Sequence, residues 1–110
     1  MRQFLIDELS REERDNLDSY LKRTVLPGPM AGMYWLELPP DLWSDAQQGH
    51  ASCGPFYFGI ELTDSKLIVE LLVRGQANLH CSCICYATPA QRDFLLRFLD
   101  VMLLEERIRA

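Results

Sequence analysis

The segment FYFGIELTDSKLIVELLVR, residues 56–74, alternates apolar side chains with polar or small ones on either side of a short polar stretch. Such alternation has the period of two that is typical of a β-strand with one buried face. Asp64-Ser65 falls between the two halves and favours a tight turn, so the segment predicts an antiparallel hairpin with one apolar face. In this hairpin Leu62, Ile60 and Phe58 are expected opposite Leu67, Val69 and Leu71.

Two further strands are predicted around the hairpin, at 33–38 and 79–87. The sequence RGQAN at 74–78 favours a turn, so the last three strands should form a meander. The final strand is rich in cysteine, and its three cysteines occupy alternate positions, which places them all on the apolar face. They are Cys81, Cys83 and Cys85, expected opposite Leu71, Val69 and Leu67.

Helices are predicted at both ends of the chain. SREE at 10–13 has the spacing of a capping box, which favours a helix over about 11–23, after a shorter helix over 2–9. TPAQ at 88–91 repeats that spacing and favours a helix that ends at about Arg107. The predicted fold class is therefore α+β, a four-stranded antiparallel meander sheet flanked by N-terminal and C-terminal helices in the order α-β-β-β-β-α.

The composition limits the class of protein. The 110 residues, 48% hydrophobic and 25% charged, fit a single α+β domain over 1–110. The formal net charge is −5, and no Lys or Arg lies between Arg23 and Lys66, which excludes nucleic acid and anionic membranes as the main partner. Because neither a signal peptide nor a membrane-spanning apolar run is present, a reducing cytoplasm is predicted, with the four cysteines as thiols or metal ligands.

The cysteine-rich strand raises the question of a metal site. On a regular strand, residues two apart are separated by roughly 6.6 Å and residues four apart by about 13 Å. Zinc holds sulfur ligands at about 2.3 Å, so Cys81 and Cys85 cannot share one ion within a regular strand. Cys83 and Cys85 are therefore predicted to be small apolar core residues beneath the C-terminal helix.

A zinc site at one end of the sheet is the alternative interpretation. His50 and Cys53 have H-x-x-C spacing just before the second strand, and the predicted register brings them near His80 and Cys81. Imidazole and thiolate are the donors that zinc prefers. Against this quartet, His80 and Cys81 point to opposite faces of a regular strand, and the spacing is not a standard zinc pattern. A loop cysteine that packs locally and a surface histidine explain the same residues.

No catalytic residue is predicted. The chain contains no phosphate-binding glycine loop, no G-x-S-x-G and no H-E-x-x-H pattern. Cys53 precedes a Gly-Pro pair and a strand, so no helix N-terminus activates its thiol, and His50 is the only base close to it in sequence. The chain is therefore predicted not to be an enzyme. A thiol-dependent enzyme remains a third hypothesis, which would require a strongly lowered cysteine pKa.

The second face of the predicted sheet carries more apolar side chains than a solvated surface usually does. The sequence leaves open whether the N-terminal helices or a partner covers it. The long loop 39–55 adds Trp43, which either closes the edge of the core or contacts a partner. We therefore predict a non-catalytic interaction domain without a cofactor, which binds itself as a homodimer or binds another protein, with a structural zinc ion as the alternative. The predicted partner-binding residues are Trp35, Trp43, Tyr57 and Tyr86.

Overall fold

The computed structural model describes residues 1–76 and 80–110. It confirms the α+β class, because helices towards both ends of the chain flank a sheet of antiparallel strands. Within the described residues the sheet has seven strands, whereas the sequence predicted four. The strands are β1 (Gln3–Ile6), β2 (Leu26–Pro27), β3 (Met33–Glu37), β4 (Phe56–Leu62), β5 (Leu67–Glu70), β6 (Leu72–Gly75) and β7 (Cys85–Tyr86). The helices are α1 (Arg11–Thr24), α2 (Asp45–Gln48) and α3 (Pro89–Glu105).

The two long helices begin at capping boxes, as predicted. In α1 the Glu13 backbone N–H donates to Ser10 Oγ at 3.1 Å, and the Ser10 N–H donates to Glu13 Oε1 at 2.8 Å. In α3 the Gln91 N–H donates to Thr88 Oγ1 at 3.2 Å, and the Thr88 N–H donates to Gln91 Oε1 at 3.0 Å. These bonds satisfy N-terminal amides that have no partner inside a helix. Among the described residues, no helix combines the length and the apolar character needed to cross a membrane.

Residues 2–9 do not form the short helix that was predicted. Gln3–Ile6 form a strand that pairs antiparallel with β5, and Phe4 lies opposite Val69. A short apolar run does not by itself distinguish a helix from a strand, and here the edge of β5 supplies hydrogen-bond partners for its backbone. β1 therefore occupies the edge of β5 at which the cysteine-rich strand was predicted.

The predicted hairpin is present as β4 and β5. The second of its strands is interrupted at Leu71, whose N–H donates to the carbonyl oxygen of Arg2 at 3.0 Å. Beyond this interruption β6 pairs with the other end of β4, with Phe56 opposite Gly75, so the predicted pairing of Phe58 with Leu71 is wrong. The two confirmed pairs are Ile60 with Val69 and Leu62 with Leu67.

The cysteine-rich strand is much shorter than predicted. β7 contains only Cys85 and Tyr86, and it pairs with β6 instead of β5. β1 occupies the edge of β5 along which residues 81–85 were predicted to pair, and in the structure residues 82–83 form a turn before β7. Residues 77–79, where the predicted turn ends and the predicted strand begins, lie outside the described residues.

Both long helices pack on the same face of the sheet. One buried cluster combines Leu17 of α1, Leu95 of α3 and inward-facing strand residues such as Phe58. The Tyr20 ring of α1 contacts the Phe98 ring of α3, with centroids 6.1 Å apart. Among the described residues, neither α1 nor α3 covers the opposite side, which we call the open face. Its half-buried apolar side chains include Met33, Trp35, Tyr57 and Ile68.

Asp18 and Tyr34 connect α1 to β3. The Tyr34 hydroxyl donates to the Asp18 carboxylate, which also forms an ion pair with Lys22 at 3.1 Å. Partial burial acts to raise the pKa of Asp18, but the hydrogen bonds from Tyr34 and Lys22 and the charges of Lys22 and Arg14 lower it below its ordinary value of 3.8. Burial, together with the bond to Asp18, raises the pKa of Tyr34 to about 12.

Replacement of this hydroxyl should destabilise the fold in a pH-dependent way. We expect Tyr34→Phe to lower the free energy of unfolding by about 1–2 kcal/mol near neutral pH, since a bond to a charged acceptor is lost. Because the pKa of Asp18 is lowered in the folded state, its ionised form stabilises the protein above the unfolded-state pKa near 3.8. That contribution is lost as the pH falls through the folded-state value.

Urea titrations of both proteins measure this effect. The difference in unfolding free energy between wild type and Tyr34→Phe should shrink between about pH 6 and about pH 2. A difference that stays constant over this range would show that ionisation of Asp18 does not strengthen the bond.

Candidate metal centre

Four donor atoms from two separate segments converge at one end of the sheet. The side-chain donors of His50, Cys53, Cys81 and Cys83 all lie within 4.8 Å of one another, and we call them the four-donor cluster. Within the cluster, His50 Nδ1 and Cys81 Sγ lie 2.9 Å apart. Of the quartet predicted from the sequence, the structure brings together His50, Cys53 and Cys81. The fourth donor is Cys83, where the sequence predicted His80.

The first two donors are positioned by one short turn of helix. Ala51–Cys53 form a single 3₁₀ turn, and the Cys53 N–H donates to the carbonyl oxygen of His50 at 2.9 Å. Side chains three residues apart lie on the same side of a 3₁₀ helix, so His50 and Cys53 face one point. The Gln76 N–H donates to the carbonyl oxygen of Cys53 at 3.0 Å, which attaches this turn to the end of β6.

The other two donors, Cys81 and Cys83, lie on a tight turn and not on the regular strand that was predicted. The Ile84 N–H donates to the carbonyl oxygen of Cys81 at 3.1 Å and closes the turn. The Cys83 N–H donates to Cys81 Sγ at 3.4 Å. The predicted strand separation of roughly 6.6 Å therefore does not apply, because a turn directs both thiols towards His50 and Cys53. Cys83 is fully buried, as the core interpretation expected, but it also belongs to the cluster.

The pKa values of two thiols in the cluster, those of Cys81 and Cys83, are shifted in opposite directions. Hydrogen bonds from the Cys83 thiol and the Cys83 backbone N–H, with smaller effects of Cys53 and His50, lower the pKa of Cys81 to about 7. Burial, followed by the contacts with Cys81 and Cys53, raises the pKa of Cys83 to about 12. A buried thiolate at Cys83 therefore needs a compensating positive charge beside it, and a bound divalent cation supplies one.

The donor set and its spacing suit zinc. Tetrahedral zinc holds sulfur at about 2.3 Å and imidazole nitrogen at about 2.0–2.1 Å, so its donors lie roughly 3.5–3.8 Å from each other. The donors of the cluster lie within 4.8 Å of one another, and the 2.9 Å between His50 Nδ1 and Cys81 Sγ would have to lengthen to about 3.5 Å when both atoms bind one ion. Three sulfurs and one nitrogen match the Cys₃His composition of structural zinc sites, in which the protein fills all four positions.

Two buried amides support the cysteine turn from below. Gln47 Nε2 donates to the carbonyl oxygen of Cys83 at 3.3 Å. Gln91 Nε2 in turn donates to Gln47 Oε1 and to the carbonyl oxygen of Leu42, both at 2.9 Å. Both glutamine side chains are fully buried. The sequence showed Gln91 only as a capping residue, and no local pattern indicated that its amide group would lie in the interior beside Gln47.

The remaining candidates from the sequence lie elsewhere. Cys85 and His80 are not members of the cluster, and His80 is exposed on a turn. Trp43 packs edge-on against Phe56 with centroids 4.8 Å apart, which is the position that the core-closing interpretation expected. Tyr86 lies under the guanidinium of Arg2, 4.2 Å from the ring centroid.

The other two proposed contact residues, Trp35 and Tyr57, lie together on the open face with their ring centroids 6.1 Å apart.

Comparison of the chain with known proteins found no matching family model, no matching curated protein and no matching solved structure. The function must therefore be inferred from the residues themselves.

Proposed function

We propose that this protein is a non-catalytic domain that binds one zinc ion through His50, Cys53, Cys81 and Cys83. The observation that carries the proposal is the convergence of four zinc-type donors within 4.8 Å. A cytoplasmic location belongs to the same proposal, because the cysteines among the described residues are all free thiols and a reducing compartment keeps them so.

The proposed role of the ion is structural. It joins the loop before β4 to the turn before β7, two segments separated by nearly thirty positions in the chain. Zinc bound in this way stabilises the folded state directly, because the unfolded chain has no preformed site. Four protein donors also leave no open position for substrate or activated water, which favours a structural over a catalytic ion.

Native mass spectrometry of protein purified from zinc-supplemented culture without chelator tests this proposal. We expect a mass that corresponds to one zinc ion per chain. Cys53→Ser, Cys81→Ser and Cys83→Ser should each lose the ion. Two matched controls, Cys85→Ser and His80→Asn, should keep it, because neither residue belongs to the four-donor cluster.

Cobalt substitution checks the geometry without any mutation. Cobalt(II) in a tetrahedral site with three sulfurs should give strong visible ligand-field absorption and thiolate-to-cobalt charge transfer. Loss of the ion in Cys85→Ser, its retention in Cys83→Ser, or a weak octahedral cobalt spectrum would contradict the proposed donor set.

Protein interaction, the function first predicted from the sequence, is a second candidate. It is supported by the half-buried Trp35 and Tyr57 on the open face. The partner is either a second copy or another protein, and the same native mass spectrum reports the number of subunits.

A further inference from the structure

The open face carries a cleft of about 340 Å³ beside Trp35. Gly59 of β4 and Ile68 of β5 contribute to its lining, together with the carboxylate-bearing residues Glu61 and Glu70. Pockets of a few hundred Å³ are large enough to enclose one or two side chains of a bound segment. None of the residues of the four-donor cluster lines this cleft, so the two features are separate.

The glycine in the middle of β4 makes room for the ring that lines the cleft. Trp35 lies directly across from Gly59 in the sheet. A Cβ atom at Gly59 would lie 3.0 Å from Glu70 Oε2 and 3.2 Å from Trp35 Cζ3. Because Gly59 has no side chain, the indole and the carboxylate can both lie over the strand at this point.

Trp35 also lines a second depression, of about 470 Å³, which includes Pro27 and Tyr57. The rings of Trp35 and Tyr57 are inclined at 54° to each other. Both rings line this second depression, and Trp35 also lines the first. Rings of this type attract cations, and Trp does so most strongly.

The charges around the rings are predominantly negative. Glu37 lies across from Tyr57 and Glu61 lies across from Ile68, and both glutamates are exposed. Arg74, which lines both depressions, is already bound to Glu70 by hydrogen bonds of 2.7 and 3.3 Å. Because Lys and Arg are absent from 24–65, β3 and β4 bring the carboxylates of Glu37 and Glu61 to this face, and β2, β3 and β4 bring no cation.

We propose that the open face binds a short segment of another protein in which an arginine or lysine is flanked by apolar residues. The cationic group lies against Trp35 and between the carboxylates of Glu37 and Glu61. The apolar neighbours pack on the exposed parts of Ile68 and Tyr57. Charge complementarity selects this partner, because an aromatic surface bordered by carboxylates attracts a cation and its apolar stem together.

The same charges argue against the other possible occupants. A second copy of the chain would bring its own Glu37 and Glu61 against those of the first, and opposed like charges weaken association. Nucleic acid and anionic lipid are repelled for the same reason. The proposal does not depend on zinc, so loss of the ion in a variant that stays folded leaves it intact.

Selection from a random peptide library displayed on phage tests the proposal, with wild-type protein as the target and Trp35→Ala as the counter-target. We expect enriched peptides to share an Arg or Lys flanked by apolar residues. In titrations with the synthetic peptides, Trp35→Ala should weaken binding at least about tenfold, as for an interface hot spot. Glu61→Gln should weaken it about threefold, and added salt should reduce that difference.

Asp100→Asn is the matched control, since it removes an exposed carboxylate from α3 on the other side of the sheet and should leave affinity unchanged. Circular dichroism and thermal unfolding establish that each variant is folded. Peptides that are acidic, that bind Trp35→Ala equally well, or that show no enrichment would overturn the proposal. A wild-type dimer that Trp35→Ala converts to monomer would also overturn it, because the occupant would then be a second copy.

Discussion

Chelation of the zinc-loaded protein should lower its thermal unfolding midpoint by at least about 15 °C. A ligand present at about a thousand times its dissociation constant stabilises the folded state by about 4 kcal/mol. In a domain of about 100 residues, each kcal/mol corresponds to a shift of about 4–8 °C. The effect is large because the ion also compensates the burial of Cys83, which by itself raises the pKa of that thiol.

Differential scanning calorimetry before and after treatment with a strong chelator measures this shift, and zinc added back should reverse it. Cys85→Ser should respond to chelation like the wild type, because its sulfur lies outside the four-donor cluster. Cys83→Ser should unfold at one low temperature with or without chelator. An unchanged midpoint in chelated wild type would mean that any bound ion contributes nothing to stability.

Replacement of Gln47 should have the second largest effect. Its amide group donates to the carbonyl oxygen of Cys83, and its Oε1 accepts from the Ser44 N–H and from Gln91 Nε2, both at 2.9 Å. Gln47→Leu fills much of the same space but leaves those buried groups with fewer partners. We expect a loss of about 2–4 kcal/mol in the free energy of unfolding, since each unsatisfied buried group costs about 1–3 kcal/mol.

The same substitution should also weaken zinc binding by about 10–100-fold, as loss of an outer-shell partner commonly does. Urea unfolding and competition with a chromophoric chelator measure the two effects. Gln48→Leu is the matched control, because the Gln48 side chain is exposed and donates to the carbonyl oxygen of Trp43 at 3.1 Å. Equal zinc affinity in Gln47→Leu and wild type would show that the buried amide does not position the cysteine turn.

The parts of the fold that the sequence predicted well depend on neighbours in the chain. The capping boxes at Ser10 and Thr88 involve residues three positions apart, and both helices begin where these pairs indicated. The hairpin around Asp64-Ser65 likewise joins two strands through a short turn, and its inner pairs were predicted correctly. Local hydrogen bonds and the alternation of side chains are sufficient to specify such elements.

The candidate metal centre was predicted only in part. His50 and Cys53 lie close together, as their H-x-x-C spacing predicted, because one turn of 3₁₀ helix places both side chains on the same side. The error concerned Cys83, which a regular strand would have held apart from Cys81. The predicted pairing of this segment with β5 was lost when β1 paired with β5, and in the structure residues 82–83 form a turn before β7.

The sequence by itself determined the α+β class, the starts of the two long helices, the central hairpin and the cation-free stretch that makes the open face acidic. Only the tertiary structure decided that both helices cover one face, that the cysteine strand becomes a turn, and that Gln47 and Gln91 meet beneath Cys83. These features join residues that are far apart in the chain. Their positions depend on which strand pairs with a given sheet edge and which helix packs on a given apolar face. A local pattern of residues does not contain that information.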